Sequence, residues 1–344
     1  MKLKRKLPVL AMLLLLFGTA CKKQAKDIAV ENQVSSTEQV AVTEGTYPNP
    51  LGPLGGDPGI IYTNSTYYFY CTSGNGTGAM PIKWSPDLFT WTDNGARVFP
   101  IGQFPAWVNG GSYWAPEVHY INGKYVCYYA AKGADGWFKI GVATAPGPTG
   151  PFTDKGSPLV SNASYSLIDP TFFRDPTNGK NYILWKNNKN ALDPPQQTQI
   201  VLREVSQDGL TLLGSSNEIL WNNPNSWEGL VVEAPSMMYR NGYYYLFYSG
   251  NNYGTDRYAV GVARCTTIGG TYTKKSTNPI LKSDTRFDGP GGQCIVTNSP
   301  IGPYLLFYHA RLRSNPSAGR YLMMDQINWG TDNWPTIHDG TPSD

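Results

Sequence analysis

The chain has 344 residues, 15% of them charged, with 28 basic residues against 25 acidic ones. Lys2, Lys4, Arg5 and Lys6 take four of the bases into the first few residues, leaving 24 against 25 acids scattered singly over the rest. A near-neutral body with no Arg- or Lys-rich stripe to follow a phosphate backbone excludes nucleic acid as a partner class.

The N-terminus, MKLKRKLPVLAMLLLLFGTAC, joins a basic cluster to an apolar run and then to small residues before Cys21. The run is too short for a stable bilayer anchor, so residues 1–20 read as an export signal. Gly18-Thr19-Ala20 before a cysteine is the setting of a bacterial lipoprotein signal, in which Cys21 becomes the lipidated first residue and the only membrane contact. The alternative is an ordinary secretory peptide with an incidental Cys21. Either way the mature protein is expected outside the cytoplasm, in the periplasm, at the outer membrane or secreted. Residues 21–46 are polar and lack periodic aromatics, which suits a tether. Residues 47–344 change abruptly in composition and are long enough for one large all-β domain, expected to be a monomer.

Along this body the cysteines Cys71, Cys127, Cys265 and Cys294 lie in or beside apolar runs, with no CxxC and no disulfide framework in their spacing. Buried free thiols are expected. His119, His309 and His338 are too far apart for zinc-ligand spacing.

A repeat emerges when the chain is aligned with itself. VEAPSMMYRNGYYYLFYS has Pro235, then Asn241-Gly242, then an aromatic strand; WAPEVHYINGKYVCYYA has Pro116 and Asn122-Gly123 at the same offsets. GDPGIIYTNSTYYFYCT repeats the frame from Pro58, and IDPTFFRDPTNGKNYILW from Pro170 with two extra residues. GGQCIVTNSPIGPYLLFYHA is a fifth, looser copy. Each copy is the sequence form of a β-hairpin. A third strand follows at IKWS, IGVA, IVLRE and VGVA, and TWTDNG, FTDKG and TYTKK suggest a fourth. Anchors at 57, 117, 169, 233 and 293 predict a five-bladed β-propeller with four-stranded blades, since a pair of β-sandwiches would not repeat one motif five times.

In a propeller the first strand of every blade lines the central channel, so the repeat starts converge. Asp57 and Asp169 directly precede their prolines, Glu233 stands two before its own, Trp114 holds the position equivalent to Glu233, and Glu117 follows Pro116. An Asp before Pro is often only a turn starter, which suffices for Asp175. Three acids at corresponding places on three inner strands need more, because carboxylates are costly in apolar strands. Such a set suits glycosidic bond hydrolysis, where one acid protonates the leaving oxygen and another carboxylate activates water or attacks carbon. Trp114 would offer a sugar ring a flat apolar face. No GxSxG elbow or Cys–His arrangement is evident, and GNGTGA at 74–79 lies between strands, where a phosphate cradle is not expected.

The motifs GDPGII, YWAPE, IDPTFF and SWEGLVVEAPSM, in this order over residues 47–335, resemble glycoside hydrolase family 43, whose members are five-bladed propellers. The resemblance implies an inverting hydrolase with Asp57 as general base, Asp169 as the residue that tunes the acid and orients substrate, and Glu233 as general acid. Many members carry Gly-Pro-Gly-His in the fifth blade, where the histidine helps to hold a metal ion or water cluster. Here DGPGGQ puts Gly292 at that place, so no metal ligand is assigned and a channel calcium stays open. Gln293, and His309 on the neighbouring strand, join Trp114 as candidate substrate contacts.

The family implies an oligosaccharide or polysaccharide substrate with α-L-arabinofuranosyl or β-D-xylosyl bonds. The single-domain length favours an arabinofuranosidase releasing terminal arabinose. The alternatives are a β-D-xylosidase, an endo-α-1,5-L-arabinanase and a non-catalytic carbohydrate-binding propeller. NNKNALDPPQQTQ and NEILWNNPNSW are expected to be long loops that wall a pocket or rim a groove.

Overall fold

Twenty strands and two 3-10 turns, Lys189–Ala191 and Pro316–Ala318, make up the regular structure of residues 47–344, the part of the chain that the computed structural model describes. The expected signal and tether, residues 1–46 with Cys21, lie outside the described residues.

Five antiparallel four-stranded sheets follow one another in chain order, each strand paired with the next. Blade 1 holds β1 (Gly59–Thr63), β2 (Thr66–Tyr70), β3 (Ala79–Ser85) and β4 (Arg97–Phe99). Blade 2 holds β5 (Val108–Ile121), β6 (Lys124–Gly133), β7 (Phe138–Ala145) and β8 (Thr153–Asp154). Blade 3 is β9 (Leu167–Arg174), β10 (Asn181–Asn187), β11 (Gln199–Val205) and β12 (Asn217–Trp221). Blade 4 is β13 (Val232–Arg240), β14 (Tyr243–Gly250), β15 (Ala259–Cys265) and β16 (Thr273–Lys274). Blade 5 is β17 (Phe287–Val296), β18 (Leu305–Leu312), β19 (Tyr321–Trp329) and β20 (Pro335–Ile337). The inner strands β1, β5, β9, β13 and β17 touch in a closed ring, giving a five-bladed β-propeller.

Local chemistry explains the hairpins. Asn64-Ser65, Asn122-Gly123 and Asn241-Gly242 all adopt positive φ, as two-residue turns that match strand twist require. The second strands are packed on both faces: every residue of β10 is buried, and so are all but the first of β14. That is why ILW and YYLFY read as continuous apolar runs, with no polar alternation. Five apolar clusters lie between neighbouring blades, for example Tyr70, Ile82 and Phe99 of blade 1 against Tyr113, Val118 and Tyr129 of blade 2. The ring is therefore closed by side-chain burial between blades as well as by hydrogen bonds within them.

The outer strands differ from expectation in two blades. TWTDNG contributes only an isolated bridge, Trp84 to Thr92, and the fourth strand of blade 1 is Arg97–Phe99. NEILW, expected in a loop, forms β12, because Ile219 and Leu220 bury against the third–fourth blade core. Cys71, Cys127, Cys265 and Cys294 are free thiols, and the first two and the last are buried.

Candidate active site

Each inner strand is bent at the same place. The residue before the repeat proline, or before Gln293 in blade 5, has left-handed backbone: Asp57 at φ 55°, Ala115 at 44°, Asp169 at 55°, Ala234 at 47° and Gly292 at 63°. The ladder register shifts there in blades 2 to 5, between Trp114 and Glu117, Ile168 and Thr171, Glu233 and Ser236, and Gly291 and Cys294. A bulge re-aims side chains, and backbone strain of this kind gathers at functional sites. It brings Asp57, Asp169, Ala115, Ala234 and Gly292, with Gln293, around one cavity in the channel.

Asp57 is held from three sides. Its Oδ2 accepts from Thr72 Oγ1 at 2.6 Å, its Oδ1 accepts from Arg320 Nη1 at 2.9 Å, and its own N–H donates to His309 Nδ1 at 3.1 Å. Burial by itself would raise this carboxyl, but Arg320 and the Thr72 hydroxyl outweigh it and hold Asp57 below the ordinary carboxylate range. Asp169 has the opposite setting. Its Oδ2 accepts the Ala234 N–H at 3.0 Å, and burial, reinforced by the charges of Glu233 and Asp57, pushes its carboxyl up to about 8. Glu233 accepts from Lys186 Nζ at 2.7 Å and from the Tyr258 hydroxyl at 2.8 Å.

Several of these partners share a second fivefold position. Residues on the second strands that face the place two before each repeat proline are Ala130 opposite Trp114, Lys186 opposite Ile168, Ser249 opposite Glu233 and His309 opposite Gly291. In blade 1 the Thr72 N–H bonds the Gly56 carbonyl at the same station. Four of the five reach into the following blade. Thr72 accepts from the Ala115 N–H, Lys186 binds Glu233, Ser249 accepts from the Gly292 N–H, and His309 accepts from the Asp57 N–H. Thr72, Lys186 and Ser249 lie outside the repeated anchor motif, which therefore does not point to them.

Arg320 and Tyr258 are likewise invisible to a motif search, but they leave a trace. At the position that carries Trp114, Ile168 and Glu233 in blades 2 to 4, blades 5 and 1 have Gly291 and Gly56. A Cβ on Gly56 would fall 1.8 Å from Arg320 Cζ, and one on Gly291 would fall 2.2 Å from Tyr258 Cε1. The glycines make room for side chains delivered from elsewhere.

The remaining candidates separate by position. Trp114 stacks on Phe138, centroids 4.0 Å apart at 24°, and is half-buried at the blade 2 position matching Glu233. Gln293 lines the cavity with its amide already engaged, accepting from Ser249 Oγ at 2.7 Å and donating to the Ala234 carbonyl. His309 is 1% exposed and stands behind Gly292 and Asp57, stacked near-parallel on Tyr258. Burial lowers its ring to about 3, so it stays neutral and supports Asp57 instead of forming the cavity wall. Glu117 accepts the Phe172 N–H at 3.1 Å and lies 3.0 Å from His119 Nε2, tying blade 2 to blade 3.

Calcium takes six to eight oxygen ligands. Most side-chain oxygens around this cavity are committed, Asp57 to Arg320 and Thr72, Glu117 to Phe172 and Gln293 to Ser249, which leaves Asp169 as the one lining carboxyl with a free oxygen. Among the described residues, no group of three or more His, Cys, Asp or Glu has metal-holding geometry. A histidine at 292 has no room either, since a Cβ there would meet the His309 ring at 2.5 Å. The donor set does not fit a calcium cage, and no step below uses one.

The sequence profile of glycosyl hydrolases family 43 matches residues 47–335. An extracellular exo-α-(1→5)-L-arabinofuranosidase of Streptomyces avermitilis is 26% identical over 85% of this chain, which spans 63% of that protein's length. An extracellular endo-α-(1→5)-L-arabinanase of Bacillus subtilis is 28% identical over 81% of this chain and 86% of its own. The crystal structure of a thermostable family-43 glycoside hydrolase superposes with a TM-score of 0.76 at 30% identity, covering 85% of this chain and 97% of its own. With that match running through all five blades and every motif at the channel mouth, the chain belongs to glycosyl hydrolases family 43.

Proposed function

We propose that this protein is an inverting glycosidase that releases terminal α-L-arabinofuranosyl residues from plant-derived arabinan or arabinoxylan oligosaccharides, outside the cytoplasm. The observation that carries the reading is the meeting of Asp57, Asp169 and Glu233 at one channel in unlike settings: Arg320 and Thr72 hold Asp57 ionised, while Asp169, buried beside Glu233 with only a backbone N–H as partner, is pushed up to about 8. Inversion needs an ionised base and a proton held ready for the acid, and Asp57 and Asp169 supply these. Asp57 takes a proton from a water whose oxygen attacks the anomeric carbon. The bond from that carbon to the leaving oxygen breaks, and Glu233 gives that oxygen its proton. Asp169 holds the sugar and adjusts the proton affinity of Glu233, and Trp114 supplies an apolar face. The Streptomyces relative supports the exo-arabinose choice, and both relatives' extracellular names support export. The Bacillus relative favours a second reading, endo cleavage of α-1,5-arabinan, on the same residues.

Incubation with aryl α-L-arabinofuranoside, aryl β-D-xyloside, linear arabinan and xylan separates these readings. Free arabinose as the first product supports the exo reading; arabino-oligosaccharides support the endo one, and xylose from the xyloside alone replaces both with a xylosidase. Binding of arabinan with no sugar released from any substrate would make the protein a carbohydrate-binding propeller. Proton NMR of the first-formed sugar should show the inverted anomer, and a retained anomer would make Asp57 a nucleophile.

A further inference from the structure

The carboxyls at the channel are served unequally by cations. Arg320 pairs with Asp57 at 2.9 Å and Lys186 with Glu233 at 2.7 Å, whereas Asp169 accepts only a backbone N–H. Lys186 is 1% exposed, and an ammonium removed from water in this way needs a carboxylate partner. It occupies the fivefold second-strand position that holds Ala130, Ser249 and His309 in other blades and corresponds to Thr72, all uncharged here. Its register places it opposite Ile168, one residue from Asp169, and its side chain crosses to the acid of the next blade. Glu117 lies apart from these, against the Phe172 N–H and His119; Asp57, Asp169 and Glu233 face two cations, so one proton neutralises this group, and it belongs on the carboxyl that has no cation.

We propose that Lys186 is the positioning residue that fixes where this proton rests, holding Glu233 as the carboxylate and leaving the proton of the Asp169–Glu233 pair on Asp169 in the free enzyme. The inference rests on the reading of Glu233 as the acid, which takes this proton from Asp169 once substrate is bound and passes it to the leaving oxygen. The groups facing the pair are Lys186, Tyr258, Asp57 and its partners Arg320 and His309. Of these, Lys186 is the cation in direct contact with the pair. Loss of a charge at this range moves a carboxyl by about one to three units. The pair gives up its proton in one macroscopic step, which forms the basic limb of the kcat/KM profile.

The test compares the parent with Lys186→Met, Lys186→Gln and Lys186→Arg. The kcat/KM profile on aryl α-L-arabinofuranoside is measured beside a ¹³C-carboxyl NMR titration, assigned through Asp169→Asn and Glu233→Gln. In K186M and K186Q both the basic limb and the pair's titration should move up by about one unit or more, while K186R stays within about 0.3 unit of the parent. Gln keeps a donor toward Glu233 without the charge, so its shift separates charge from packing even where Met does not fold. Titrations in K186Q within about 0.3 unit of the parent would overturn the proposal. A parent that cleaves no glycoside, but whose carboxyl titration rises in K186Q, sustains the proton placement and overturns the glycosidase reading alone.

Discussion

At Asp57 and Asp169 the same functional group is held in opposite settings, and the difference lies in what touches each. Arg320 and Thr72 give Asp57 charge-assisted partners, so its ionisation lies below the usual range. Replacing Arg320 with Met removes the opposing cation while burial remains, so the carboxyl must rise. The acid limb of kcat/KM should then move up by about one unit or more, with the basic limb unmoved. An acid limb that stays in place would mean that Asp57 is not the base. Glu233→Gln should lose about two to four orders of magnitude in kcat on natural oligosaccharides, and much less on aryl glycosides whose leaving group departs unprotonated. Near-normal turnover of an oligosaccharide by this variant would remove Glu233 as the acid. Asp57, Asp169 and Glu233 were legible in the sequence because they sit in a motif that recurs at fixed spacing. Lys186, Tyr258, Arg320 and Thr72 were not, since each reaches the channel from outside the anchor motif. Only the missing side chains at Gly56 and Gly291 mark the space that two of them fill.

The element that makes the site is the bent inner strand. A flat strand sends neighbouring side chains to opposite faces, so Glu233 and the adjoining backbone could not both face the channel without a bulge. Four of the five bends use a non-glycine residue with positive φ, and the fifth, Gly292, has two reasons to be glycine. Its φ is 63°, and a Cβ would meet His309 Cε1 at 2.5 Å and Asp57 Oδ1 at 2.9 Å. Gly292→Ala should therefore cost about 2 kcal/mol or more in denaturant unfolding and lower kcat at least tenfold by displacing Asp57. Gly95→Ala is the control: φ is 86° there, but nothing lies within 4 Å, so the conformational cost of about 1 kcal/mol should stand alone. Equal losses in the two variants would mean that His309 yields and that Asp57 is not held by this contact. The hairpins were readable from their Asn-Gly turns, and FTDKG and TYTKK marked the outer strands Thr153–Asp154 and Thr273–Lys274. The outer strands of blades 1 and 3 were not readable: the three residues Arg97–Phe99 carry too little pattern to be distinguished from a loop, and NEILW lies in a segment without the repeat's signature.

For the molecule as a whole, five blades must meet, and the last seam joins blade 5 to blade 1. An apolar cluster of Leu51, Ile60, Phe69, Phe307 and Met324 fills it, and residues 49–55 run alongside the start of β19. Leu51 N–H bonds the Leu322 carbonyl and Gly55 N–H the Arg320 carbonyl, so the segment that closes the ring ends beside the guanidinium that holds Asp57. Asn49 is the polar pin of this seam. It is 5% exposed, its Oδ1 accepts the Met324 N–H at 2.9 Å, and its Nδ2 donates to the Met324 carbonyl at 3.0 Å and to Ser343 Oγ at 3.1 Å. Asn49→Ala leaves the buried Met324 N–H and carbonyl without these partners, at a cost of about 2 to 4 kcal/mol. In a domain of this size the Tm should fall by about 3 to 6 °C. Because Leu51 and Gly55 keep their own backbone bonds, Asp57 and Arg320 should hold their places, and kcat/KM at 25 °C should stay within about twofold of the parent. Calorimetry and initial rates on the same preparation test both halves. A Tm change under about 2 °C would assign the closure to the apolar cluster alone. A large loss of kcat at 25 °C would mean that the seam positions the catalytic base as well as closing the ring.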